Sequence, residues 1–318
     1  MKAAPVVLFT YNRPEHTRRT VEALRKNELA GATPLVIFSD GPKDHSMDKM
    51  VQKVRRYLAT INGFKSVVIH HREKNMGLAD SIIQGVTEVV EAYGRVIVLE
   101  DDLLTAPSFL SYMNEALSFY RDTPEIFSIS GYNLPPQTMK TPSAYPYDVY
   151  FNPRAHSWGW GTWADRWAKA DWQVTDFNTF IADKEKVRQF NAGGEDLTRM
   201  LQLQMEGRID SWAIRWCYTH FREHAFCVYP ILSLVENIGF DGSGVHCGAC
   251  GSEKYYTPLA EGKQRFRFSK KIQLNEALMD HFRAAYRPAR GPGRTLRRLN
   301  RLKQIFFKVQ GNKIKAAK

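Results

Sequence analysis

No stretch of this chain approaches the roughly 18 consecutive apolar residues of a membrane-spanning helix, so a helical transmembrane protein is excluded. Cysteine is scarce. Four residues (Cys217, Cys227, Cys247 and Cys250) are too few to staple a chain of 318 residues, which argues against a disulfide scaffold and for a reducing compartment. Acidic residues stop at Asp280, while Arg283 to Lys318 carries twelve bases. The remaining residues hold 33 bases and 33 acids, so the whole net charge of +12 belongs to the tail. A neutral body excludes a basic nucleic-acid-binding face there. The start also lacks a signal-peptide core: after five apolar residues, PVVLF gives way to Asn12, Arg13 and Glu15. A cytoplasmic location is therefore expected.

What is present is a repeated alternation. Pro5–Phe9, Leu35–Phe38, Val67–His70 and Val96–Leu99 are short, β-branched apolar runs, suited to strands buried on both faces. Between them lie helical patterns. Pro14 opens one at the position where proline is tolerated. Met47, Met50, Val51, Val54, Leu58 and Ile61 share a 3.6-residue face, as do Ile82, Val86, Val89 and Tyr93. Phe109, Met113, Ala116 and Tyr120 mark a further helix. The pattern predicts an α/β fold, a doubly wound and mostly parallel sheet with right-handed crossovers. Residues 1–130 form its first half and 131–275 its second, with a basic amphipathic tail over 276–318. Residues 131–157 are expected to be a connecting loop, and Met200–Tyr218 helical at least in part.

In such sheets ligands bind at the carboxyl ends of the strands. Those ends read Thr10-Tyr11-Asn12-Arg13, Ser39-Asp40-Gly41, His71 to Gly77, and Glu100-Asp101-Asp102. Three adjacent acids repel one another and call for solvent, a cation or a proton. A hard divalent ion would relieve them and bind phosphate as well; a helix N-terminus would also suit them. All seven tryptophans lie between 158 and 216. Trp163 and Trp167 are expected to pack. Trp158 and Trp160, flanked by glycine, are expected on a bent loop where they could stack on sugar rings. The glycine-rich stretch Asn237–Gly251, with Asp241 and His246, is expected to close over a ligand. Cys247 and Cys250 have no second pair spaced for a structural zinc site. In the tail, Leu296, Leu299, Leu302, Ile305 and Phe306 recur at helical spacing among bases. That suits an anionic membrane surface, or equally a solvated basic end.

The motifs PVVLFTYNRP, IFSDGP, REKNMGLADSI and VIVLEDD, over about residues 4–130, resemble a GT-A fold glycosyltransferase of the bacterial family 2 type. They are similar also to eukaryotic enzymes that add N-acetylglucosamine to N-glycan mannose. HSWGWGTWADRW, RIDSWAIRW and PILSLVENIGFDGSGVHC match more loosely. The resemblance implies that Thr10, Asn12 and Arg13 line a nucleotide pocket and that Asp40 contacts base or ribose. It implies that Arg72, Asn75 and Gly77 hold the diphosphate side. Asp102 would bind Mn²⁺ or Mg²⁺, with Glu100 and Asp101 on the sugar or ribose and His246 completing the metal site. Asp210 would be the base of an inverting transfer, unless the base aligns with Ser211; Glu195 and Asp196 stand in reserve. A helix N-cap is the plainer role for Asp210.

The implied function is transfer of a sugar from a nucleotide-sugar donor, a UDP-sugar first, to a glycan or lipid-linked acceptor in surface polysaccharide synthesis. The protein would sit in the cytoplasm or peripherally on the inner face of the membrane. Two alternatives remain. A sugar nucleotidyltransferase shares the sheet but normally has a glycine-rich phosphate loop after the first strand, and TYNRPEHTRR has no glycine. A non-catalytic, membrane-associated carbohydrate-binding protein would bind nucleotide without turnover, or not at all.

Overall fold

The computed structural model describes residues 2–242, 254–260, 262 and 265–287. The four apolar runs form strands β1 (Val6–Thr10), β2 (Pro34–Ser39), β3 (Ser66–His71) and β4 (Arg95–Glu100). Helices α1 (Pro14–Arg25), α2 (Asp48–Leu58) and α3 (Leu78–Tyr93) connect them, and α4 (Phe109–Phe119) follows. β1 pairs in parallel with β2 and β4, and β2 with β3. The order β3-β2-β1-β4 is the doubly wound plan. The chain moves outward from β1 to β3, then returns to lay β4 on the other side of β1. That reversal opens a crevice at the carboxyl ends of β1 and β4.

Beyond β4 come a short β5 (Leu103–Thr105) and β6 (Ile126–Ser130). They are followed by β7 (Val149–Asn152), β8 (Trp160–Trp163), β9 (Phe226–Pro230) and β10 (Val235–Asn237). One eight-stranded sheet runs β3-β2-β1-β4-β8-β6-β9-β7. β8 lies antiparallel between β4 and β6, and β7 is an antiparallel edge on β9. Residues 131–157 are therefore not wholly loop. Val149-Tyr150-Phe151-Asn152 is fully buried and completes the sheet, its local signal submerged in a Pro- and Tyr-rich context. A second, two-stranded sheet pairs β10 with β5. This brings the residues after β10 directly over those after β4.

Side chains alternate between two cores. Val6, Leu8, Ile97 and Leu99 face one layer with α1 and α4. Val7, Phe9, Val96 and Val98 face the other with α3. α5 (Ala164–Trp167), α6 (Phe177–Ala182), α7 (Lys184–Phe190), α8 (Leu197–Met205) and α9 (Trp212–Arg222) complete the second layer, and α10 (Glu276–Ala285) packs on the first. The expected helix over 200–218 is interrupted. α8 ends before Gly207, which takes a left-handed φ of 67°, and α9 restarts at Trp212. Met1–Tyr286 is one compact unit. Of the tail expected over 276–318, Glu276–Ala285 is α10, packed on the first core, and residues 288–318 lie outside the described residues. No helix among the described residues is long and apolar enough to cross a membrane.

Candidate functional site

The crevice between β1 and β4 holds the acidic run. Asp101 and Asp102 follow β4 and are almost fully buried, at 4% and 8% exposure. Arg13, the residue before α1, reaches across from β1. Its Nη2 donates to Asp101 Oδ1 and, at 2.9 Å, to Asp102 Oδ2. Asp101 Oδ2 also accepts the Tyr11 N–H at 3.4 Å, and Thr20 Oγ1 donates to the Asp101 carbonyl. The charge conflict expected of three adjacent acids is thus relieved in two ways. Arg13 neutralises one charge. The proton equilibrium shifts as well: burial first, then the Asp102 and Asp101 charges, push the Glu100 carboxyl up. Burial also lifts Asp101, to about 6, against the pull of Arg13.

The strand end β10 roofs this crevice. Ile238 N–H donates to the Asp102 carbonyl at 2.9 Å. Gly239 passes so close that a Cβ there would stand 2.2 Å from Asp102 Oδ2 and 3.1 Å from Arg13 Nη1. The glycine-rich stretch marked this loop in the sequence, but not which glycine touches the acids. Asp241 pairs with His16 of α1 at 3.2 Å, tying the loop to the first helix. His246 lies outside the described residues, as do Cys247 and Cys250.

Among the described residues, Thr10 Oγ1 and Arg13 Nη1 in the crevice are buried without a hydrogen-bond partner. Both belong to residues expected to line the nucleotide pocket. Asn12 lies beside them at the mouth, its Nδ2 3.1 Å from Met47 Sδ. Among the described residues, no three His, Cys, Asp or Glu side chains converge as a ready-made metal cage. A hard divalent ion needs only one or two carboxylates when diphosphate oxygens and waters supply the rest. Asp102 fits that role, and the orphaned donors beside it fit an anionic co-ligand.

The residues assigned to the diphosphate and base sides brace their own loop. Asp40 is buried; one oxygen accepts the Gly41 N–H, and both accept the Met76 N–H. Burial raises its carboxyl above the ordinary range. Asn75 Nδ2 donates to the Gly41 carbonyl, and its Oδ1 accepts the Gly77 N–H. Arg72 donates to Ser81 and lies over the Phe38 ring. Asp40, Arg72 and Asn75 thus hydrogen-bond within the strand ends and loop that carry them. Gly41 is needed there because a Cβ would lie 2.5 Å from the Lys74 carbonyl carbon. Arg55, not singled out in the sequence, clamps the same strand ends by donating to the Arg72 carbonyl at 2.6 Å.

Gly77 adopts φ 76° and leads into α3. A Cβ on it would stand 3.7 Å from Asp210 Oδ2, so the turn before α9 meets the loop after β3. Asp210 is 60% exposed, 3.5 Å from Arg215. It is not the helix cap: Ser211 is, accepting the Ile214 N–H on Oγ. The helix end is therefore served by the Ser211 hydroxyl, and the Asp210 carboxylate faces Arg215 and Gly77. Asp196 is engaged by both terminal nitrogens of Arg154. Glu195 lies beside it in the same loop.

The two tryptophans separate. Trp158 is half-buried among Tyr132, His156, Phe240 and Tyr255. Phe240 and Tyr255 stack at 6.0 Å, and neither was marked by the sequence. Trp160 is fully buried, stacked on Trp212 within a cluster that includes Trp167 and Trp216. It cannot meet a sugar. The expectation fails because Trp160 begins an interior strand, where Gly161 serves close packing against Val96 and Met113 rather than a bend. Trp163 and Trp167 do pack, but on opposite faces of the sheet.

Comparison with curated protein sequences found no match. Among solved structures, the chain aligns with the mannosyltransferase PcManGT of Pyrobaculum calidifontis, solved with GDP-Man and Mn²⁺. Identity is 11%, coverage 70% of each chain and TM-score 0.42. It also aligns with residues 1–349 of TarS from S. aureus, at 10% identity and TM-score 0.38, over 71% of this chain and 60% of that one. The GNT-I family pattern matches residues 1–207, which takes in the crevice residues from Thr10 to Asp102 and stops just short of Asp210. With most of its length covered by that pattern, the chain belongs to the GNT-I family of glycosyltransferases.

Proposed function

We propose that this glycosyltransferase moves a sugar, with inversion and with a divalent cation, from a nucleoside-diphosphate sugar to a glycan or lipid-linked acceptor. The observation that carries the reading is the meeting of Arg13, Asp101 and Asp102 at the switch point between β1 and β4, with an uncapped Asp210 beside Gly77. Thr10, Asn12 and Arg13 would line the nucleotide. Asp102 would hold Mn²⁺ or Mg²⁺, which supplies charge stabilisation for the departing diphosphate.

Asp210 carries the other half of the chemistry. Its carboxylate takes the proton of the acceptor hydroxyl as that oxygen bonds to the anomeric carbon. The bond from that carbon to the diphosphate oxygen breaks with its electron pair, releasing the nucleoside diphosphate. Attack opposite the leaving group inverts the centre. Half-buried Trp158, with Phe240 and Tyr255, offers aromatic faces for a sugar ring. Aromatic enclosure under the β10 loop excludes water that would hydrolyse the donor. The basic, amphipathic sequence of residues 288–318 would bring a cytoplasmic enzyme to an anionic membrane surface carrying a lipid-linked acceptor.

Thermal melts with UDP, GDP, dTDP and CMP, each with and without Mn²⁺, test the donor site. A ligand at a hundredfold excess over its Kd adds about 2.7 kcal/mol of apparent stability. A metal-dependent shift with one nucleotide supports the reading and identifies the donor class. No shift with any of them favours a non-catalytic binding protein.

A further inference from the structure

Arg13 is held in an unusual way. One terminal nitrogen, Nη2, serves two carboxylates, Asp101 and Asp102. The other, Nη1, is enclosed against Gly239 and has no hydrogen-bond partner among the described residues. The side chain is only 17% exposed, so water does not readily satisfy it. A buried, charged donor left unmade is unfavourable, and an arriving anionic oxygen would relieve it. Asp102 Oδ2 meanwhile lies 2.9 Å from Nη2 and directly beneath Gly239. A divalent cation on that oxygen would be forced against a guanidinium.

We infer that Arg13 is the resident counterion of the acidic run, which keeps the cation site closed until a nucleoside diphosphate arrives with the cation. This rests on the donor-site reading above. A cation alone must compete with a guanidinium already paired to the same carboxylate. A diphosphate alone faces two carboxylates. Together each offsets the other's repulsion: the carboxylate passes to the cation, and Arg13, with its uncommitted nitrogen, passes to the diphosphate. Cation and nucleotide must then strengthen each other by the same factor, because coupling between two bound ligands is reciprocal. Arg13 is a ligand-binding residue in this scheme, and its effect is read from binding, not only from turnover.

The experiment titrates the full chain with Mn²⁺ and follows the free aquo ion by electron paramagnetic resonance, with and without the nucleotide that shifts the melt. In the wild type, Mn²⁺ should bind weakly alone and about tenfold or more tighter with nucleotide, and nucleotide should gain the same factor from Mn²⁺. Arg13→Gln should bind Mn²⁺ about tenfold tighter without nucleotide, since a nearby positive charge is gone. Arg13→Lys, which keeps the charge, should stay near the wild type. If both proteins bind Mn²⁺ with nucleotide but Arg13→Gln binds the ion alone no tighter, the counterion role is overturned and the donor-site reading stands. If no protein binds Mn²⁺ under any condition, both fall. Should Arg13→Gln lack a cooperative melt, the wild-type coupling factor decides: a value near one overturns the inference.

Discussion

Gly239 crosses Asp102 so closely that a Cβ at 239 would stand 2.2 Å from the Asp102 Oδ2 atom. The carboxylate is the nearest group there, with Arg13 Nη1 next at 3.1 Å. Gly239→Ala should therefore push Asp102 off Arg13 or lift the end of β10. We expect nucleotide- and Mn²⁺-dependent stabilisation to be lost while the ligand-free melting temperature changes by a few degrees at most. Full retention of the ligand-induced shift would show that the roof of the crevice is not part of the donor site.

Asp102 and Asp210 should fail differently. Asp102→Ala should abolish transfer, and a chelator should do the same to the wild type. Asp210→Asn should lower turnover by about 10²–10⁴, the usual contribution of a general base, with nucleotide binding intact. Isothermal titration with nucleotide separates the two. Donor binding lost in Asp210→Asn would move Asp210 from base to donor-site residue. Full activity in chelator would remove the metal from the mechanism.

The tryptophans give a contrasting pair. Trp160 is buried in the cluster with Trp167, Trp212 and Trp216. Trp160→Ala should lower stability by about 3–5 kcal/mol. Trp158, half-buried beside Phe240 and Tyr255, is expected to act on ligand instead. Trp158→Ala should raise the acceptor KM severalfold with a smaller loss in the melt. Chemical denaturation and steady-state kinetics on both variants check the assignment, and equal KM effects would refute it.

Acid should weaken the fold through His220. This imidazole is fully buried. Its Nδ1–H donates to the Trp216 carbonyl, so Nε2 accepts from Ser128 Oγ at 2.8 Å. Burial lowers its pKa to about 4. Burial, then Arg154, lowers that of His156 to about 3. The unfolded chain takes up protons on these histidines near pH 6.5 while the native protein does not, so their contribution to stability is whole above that pH and lost as pH falls toward 4; the raised Glu100 and Asp101 carboxyls act in the opposite direction. Melts of the wild type and His220→Gln compared from pH 7.5 to 4.5 isolate the His220 contribution from that of the carboxyls. His220→Gln should melt lower throughout but with a shallower slope, and an unchanged slope would assign the acid sensitivity elsewhere.

The sequence determined the first half of this protein. Strands β1, β2 and β4 and the helices between them follow from local apolar periodicity, because a run buried on both faces has few other solutions; β3, read the same way, is instead a half-exposed edge strand. Chain order and crossover handedness then bring the polar strand ends to one edge, so Arg13 and the acidic run could be nominated without coordinates. The antiparallel insertion of β8 and the edge strand β7 were decided by pairing with segments tens of residues away, which leaves no local period. Tertiary packing also decided which tryptophan faces ligand. It turned Asp40, Arg72 and Asn75 into braces of their own loop and made Ser211, not Asp210, the helix cap. Above all it set Arg13 between Asp101 and Asp102 beneath Gly239. Charge spacing along a chain can show that three acids need a partner; only the fold shows which group arrives within hydrogen-bonding distance, and which of its donors remains free.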